Sequence, residues 1–67
     1  MTSVLLNGEP SELGEPATVA HAVRSLGAPE QGVAVAVDGE VVPRGAWERT
    51  LLSDGQRVEV VSAVQGG

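Results

Sequence analysis

Few side chains in this sequence could do chemistry alone. His21 is the only histidine and there is no cysteine, so metal ligation or general-base work would need partners the chain lacks. It reads as a surface residue on the polar side of a helix, and no metal site is expected. Glu9, Glu12 and Glu15 are spread through a loop-rich segment without converging, and read as solvated carboxylates. Trp47 is the sole aromatic residue; it is expected to fill a thin core, with an exposed binding anchor as the alternative. No Walker-type or dinucleotide glycine motif occurs, so the chain is expected to bind neither ATP nor another cofactor by itself.

What remains is the end of the chain, Gln65-Gly66-Gly67. A terminal glycine pair can be a frayed tail and nothing more. Here it directly follows the last strand, with Gln65 as the only spacer. Glycine has no Cβ, so such a tail can lie extended in a channel too narrow for side chains. Fully extended, residues 65–67 would carry the carboxylate of Gly67 roughly 10 Å beyond the sheet. That is far enough to enter another protein's active site while the folded body stays outside. Gly67 is thus the candidate reactive residue, through its carboxylate, with Gln65 and Gly66 as the channel segment.

The elements that must carry this tail are legible in the apolar pattern. Ser3 to Asn7 reads as a strand closing on an Asn7-Gly8 hairpin signal, with a short return strand around Ser11 to Leu13. Val19, Ala22, Val23 and Leu26 recur at helical spacing on one face. Thr18 can cap that helix at its start, while Gly27 and Pro29 end it. Val33 to Val37 is strand-like and ends at Asp38-Gly39. Glu40 to Pro43 continues briefly, and Arg44 to Arg49 makes an irregular or single-turn connection. Asp54-Gly55 turns the chain into a last strand over Arg57 to Val64. One amphipathic helix needs a second layer to bury its stripe, and the sheet supplies it. The expected fold is α+β: a mixed sheet with one helix across one face, a β-grasp, forming a single domain over residues 1–67 with a flexible tail at 65–67. The expected core is Val4, Leu6, Val19, Val23, Leu26, Val35, Val37, Trp47, Leu52, Val58 and Val60.

Val61 and Ala63 have the opposite strand parity from Val58 and Val60 and would face away from the helix. Leu5, Ala34 and Ala36 can share that open face. The set reads either as scattered surface apolarity or as a docking surface beside the tail.

Composition narrows the partners. Nine acidic residues face four arginines, for a formal charge of −5. Nucleic-acid binding needs a basic stripe to neutralise phosphates, so none is expected. An acidic surface suits solubility or attraction to a basic protein. No apolar run approaches the roughly 20 residues needed to cross a bilayer, and Met1 to Glu9 lacks the charge-then-apolar pattern of a signal peptide. A small domain without cysteine fits a reducing cytoplasm, which is the expected location. Lysine is absent as well. A codon bias towards Ala, Val, Gly and Arg, which the chain visibly has, accounts for this.

A ubiquitin-like β-grasp ending in Gly-Gly resembles the sulfur carriers of thiamine and molybdopterin biosynthesis. The resemblance spans the whole chain. It is strongest in Val33-Ala-Val-Ala-Val-Asp-Gly-Glu-Val-Val-Pro-Arg44, Trp47, Asp54-Gly55-Gln-Arg-Val-Glu-Val-Val61 and Gly66-Gly67. The short length and Val42-Pro43-Arg44 look like the thiamine (thiazole) carrier, whereas the molybdopterin-synthase small subunit is longer and richer in aromatics. Gln65 departs from the pattern, standing where many thiamine carriers have a further glycine.

The resemblance implies a protein co-substrate and not an enzyme. An activating adenylyltransferase would use ATP to adenylate Gly67, a sulfur donor protein would convert it to a thiocarboxylate, and thiazole synthase would receive the sulfur. The chemistry makes sense of the ATP: a carboxylate with a pKa of about 3.5 is an anion at neutral pH and a poor acyl acceptor until it carries a leaving group. Two alternatives of other classes remain, a ubiquitin-like modifier joined to target lysines through Gly67 and a plain interaction domain.

Overall fold

Two Xaa-Gly turns set the registers of the sheet. In Asn7-Gly8 and in Asp38-Gly39 both central residues have positive φ, 52° and 86° in the first and 50° and 87° in the second. This is the signature of type I′ turns, whose twist matches the flanking strands and which Asn-Gly and Asp-Gly adopt at little steric cost. The first turn folds β1 (Thr2–Leu6) onto β2 (Glu9–Leu13), pairing Leu6 with Glu9. The second folds β3 (Val33–Val37) onto β4 (Glu40–Val42), pairing Val37 with Glu40. The structure, a computed structural model, describes residues 1–27 and 31–62.

β5 (Arg57–Ser62) closes the sheet from the middle. The strand order is β2-β1-β5-β3-β4, with β5 parallel to β1 and antiparallel to β3. Between β2 and β3 lies helix α1 (Val19–Ser25), and a 3-10 helix spans Arg44–Arg49. Thr18 caps α1 as its position predicts: its Oγ1 accepts the His21 N–H at 3.1 Å, satisfying a donor that has no carbonyl in the first turn. Pro29, expected to end the helix, lies outside the described residues. The architecture is the expected β-grasp, a mixed five-stranded sheet with one α-helix on one face.

The core lies between that helix and the inward parity of the strands. Val4, Leu6, Val35, Val58 and Val60 meet Val19, Val23, Trp47 and Leu52 there, all buried. Trp47 fills the core, and its indole N–H donates to the Val42 carbonyl at 3.0 Å, so its one polar atom is not orphaned. The Arg44 guanidinium stands 5.3 Å from the centre of its ring.

Two expected core residues are placed differently. Leu26 is 41% exposed: α1 ends at Ser25 and Leu26 is its C-cap, so the helical stripe runs out before reaching it. The buried stripe is Val19, Ala20, Ala22 and Val23. Val37 is only partly buried, packed against the rim of the core beside the Asp38-Gly39 turn. Leu13 and Ala17, on either side of the bend before the helix, complete the core in their place. Glu9 and Glu12 sit on strand β2 and not in a loop. Among the described residues, no helix is long and apolar enough to cross a membrane.

Candidate functional site

The tail follows β5, so the site is built from what holds β5 in place. At the strand's start, Asp38 Oδ1 accepts the Arg57 N–H at 2.9 Å, and the Asp38 N–H donates to the Arg57 carbonyl at 2.8 Å. A second turn residue, Asp54, accepts the Ser3 N–H at 2.8 Å and fixes the entry to β5 against β1. The parallel ladder with β1 covers only Leu5–Arg57 and Leu6–Val58, because the chain turns away at Asn7-Gly8. Antiparallel pairing with β3 continues to the strand's end, with Val61 opposite Ala34 and Ser62 opposite Val33. The second half of β5 therefore runs on beyond β1.

Asn7 fills the gap left by β1. Its backbone N–H donates to the Val58 carbonyl at 2.8 Å. Its side-chain Oδ1 accepts the Val60 N–H at 2.8 Å, and Nδ2 donates to the Val60 carbonyl at 3.2 Å. The carboxamide thus substitutes for one residue of strand. Sequence reading marked Asn7 only as a turn former; nothing local in the sequence connects it to Val60.

On the open face the registers decide which predicted residues meet. Val61, 58% exposed, is directly across from Ala34. Ala36 is across from Glu59 on one side and from Val41 on the other, and Val41 is 74% exposed. Val61, Ala34, Ala36 and Val41 therefore run diagonally from the exit of β5 to the free edge at β4. Leu5, half-buried, is opposite Arg57 instead, so the charged pair Arg57 and Glu59 separates it from this run. Val41 was missed in the sequence because Glu40-Val41-Val42 has too few residues to reveal its parity. The Asp38-Gly39 turn, once known to be a two-residue loop, fixes it. Ala63, Gln65, Gly66 and Gly67 lie outside the described residues.

His21 and Glu15 lie elsewhere. His21 Nδ1 is 3.3 Å from the Pro16 carbonyl on the helix side. Glu15 Oε2 accepts the Thr2 hydroxyl at 2.8 Å and lies 3.4 Å from the N-terminal amine. The Thr2 hydrogen bond first, and the amine second, hold the Glu15 carboxyl below the usual range. No group of three or more His, Cys, Asp or Glu among the described residues could hold a metal ion. An open groove of about 370 Å³ beside β4 and the 3-10 helix lies at the Asp38 end of the sheet, away from the exit of β5.

The ThiS family model matches residues 4–67, nearly the full length of the chain. The chain belongs to the ThiS family. Among its relatives, a thiazole synthase of Paramagnetospirillum magneticum is 30% identical over 64 residues, which are 96% of this chain and 20% of that protein. The chain thus spans only a small part of that relative. The sulfur carrier protein ThiS of Escherichia coli is 25% identical over 64 residues, covering 96% of this chain and 97% of that one. The crystal structure of the thiamine biosynthesis protein ThiS from Geobacter metallireducens superposes with a TM-score of 0.78 at 29% identity, covering 98% of this chain and all of that one. The ubiquitin-like β-grasp is therefore shared with a solved ThiS structure over almost every residue of this ThiS-family chain.

Proposed function

We propose that this chain is a sulfur carrier of thiamine biosynthesis whose working atom is on the carboxylate of Gly67. The observation that carries this reading is the ThiS family match, which runs through Gly66-Gly67 to residue 67. An ATP-using adenylyltransferase joins the carboxylate oxygen to the α-phosphorus of ATP and releases pyrophosphate. A sulfide-level nucleophile from a donor protein then adds to the acyl carbon, and AMP leaves with one of the original oxygens. The product is a thiocarboxylate, which delivers sulfur to thiazole synthase. The chain is the co-substrate in each step and contributes no catalytic side chain.

The fold supports this division of labour. A central strand is pinned at both ends and leads straight to the tail. The run Val61, Ala34, Ala36 and Val41 offers the partner enzymes an apolar surface beside the end of β5. Leu5 contributes from across the Arg57 and Glu59 stripe. Intact mass after incubation with ATP, a sulfur donor and a cognate activating enzyme tests the proposal. Exchange of one oxygen for sulfur is expected. A ladder of conjugates would instead mark a protein modifier, and an unchanged mass would overturn the carrier reading.

A further inference from the structure

We infer that Asn7 is a positioning residue, whose carboxamide sets the direction in which the chain leaves β5 towards its tail. Val60 is buried, and its N–H and carbonyl both point to the side where β1 has already turned away. In an antiparallel ladder, residues alternate between hydrogen bonding to the partner strand and facing outward. Val60 faces outward from β3, so β3 cannot satisfy it. Without the Asn7 carboxamide, these two part-buried backbone groups would lose their side-chain partners just before the end of β5. The carboxamide supplies an acceptor and a donor in one rigid plane, and so continues the parallel ladder for one more residue without a strand.

This holds β5 at Val60 on the side that β1 has left, while the ladder with β3 holds its other side as far as Ser62. Held on the β3 side alone, that end could twist about its one ladder. The direction of Val61 and Ser62 would then be spread over a range of angles. The inference rests on the proposed sulfur-carrier reading only where it extends to the rate of loading.

Asn-Gly, Asp-Gly and Gly-Gly are all compatible with a type I′ turn. Asn7→Gly therefore keeps the turn and removes the carboxamide. Asn7→Asp also keeps the turn, but sets a carboxylate oxygen against the Val60 carbonyl. Amide exchange on the full, isotopically labelled chain should show Val60 protection falling by roughly tenfold or more in Asn7→Gly. Val35 and Val58 should keep theirs, and the order parameters of the Val61 and Ser62 N–H groups should drop. Loading by the activating enzyme should show a lower kcat at unchanged KM in both variants, since the docking residues are untouched.

Wild-type protection of Val60 in Asn7→Gly would overturn the inference. So would an even loss of protection across Val35, Val58 and Val60, because Asn7 would then hold the whole fold and not the exit. Normal kcat with Val60 unprotected would overturn its role in delivery. A wild-type chain that never loads would count against the proposed function alone, while the exchange and order-parameter data would still decide whether Asn7 aims the strand.

Discussion

Val61 stands directly opposite Ala34 in the β3–β5 ladder, on the face of the sheet that the helix does not cover. Its neighbours in sequence, Val60 and Ser62, have the other parity, and Val60 is buried against the helix side. One residue of β5 is thus core while the next is surface, and the same valine side chain serves different ends at the two positions.

Val61→Asp tests that separation. A surface substitution costs within about 0.5 kcal/mol, so denaturant unfolding should be nearly unchanged while adenylation or sulfur loading slows. Loss of several kcal/mol would place Val61 in the core and contradict the register. Ala34→Asp should slow loading as well, because the two residues are paired on one face, but at a greater cost in stability, since Ala34 is half-buried.

Core substitutions should sort Leu13 from Leu26. Leu13 is 2% exposed, and Leu13→Ala should cost about 2–5 kcal/mol, which a domain this small can barely withstand. Leu26→Ala should cost well under that, because the side chain is already largely in water. Urea unfolding of the two variants side by side checks the pair, and equal losses would mean that the helix extends further over the sheet than Ser25.

The contrast shows which features the sequence could and could not reveal. Val33–Val37 alternates cleanly and its limits were legible to the residue. The helical stripe was legible too, but spacing cannot tell where a stripe stops having core beneath it, and Leu26 falls past that point. β2 reads Glu-Pro-Ser-Glu-Leu, which offers one apolar residue and no alternation. Only the Asn7-Gly8 turn announces that strand, and so its first residues were missed. The open face was legible by parity, whereas its division by Arg57 and Glu59 depends on the register between strands far apart in sequence. Asn7 and Val60 are likewise distant in the chain, and their contact has no local signature.

Glu15 should give stability a measurable acid dependence. Its folded-state carboxyl is held below the usual range by the Thr2 hydroxyl and then by the N-terminal amine. A depressed folded pKa means that the unfolded chain binds its proton first as pH falls. The stabilisation is therefore present above the ordinary carboxylate pKa and is lost as pH falls below it, through the lowered pKa of the folded state. Glu15→Gln should flatten that part of the stability curve. A mutant whose acid loss matches the wild type would show that other carboxylates account for it.

The end proposed to react, at Gly67, gives the most direct test of function. Residues added after Gly67 should leave unfolding unchanged, because the core is built from residues 4 to 60. They would, however, replace the carboxylate at Gly67 with an ordinary amide, which no adenylyltransferase could activate there. Loading should vanish, whereas an N-terminal extension of similar size should be tolerated. Gly66→Val keeps the terminus in place and adds only a branched side chain, so it probes the width of the partner's channel separately from the position of the carboxylate. It should slow loading with little change in stability. If the C-terminally extended chain still acquired sulfur at the original rate, with intact mass showing no trimming back to Gly67, the carboxylate of Gly67 could not be the site.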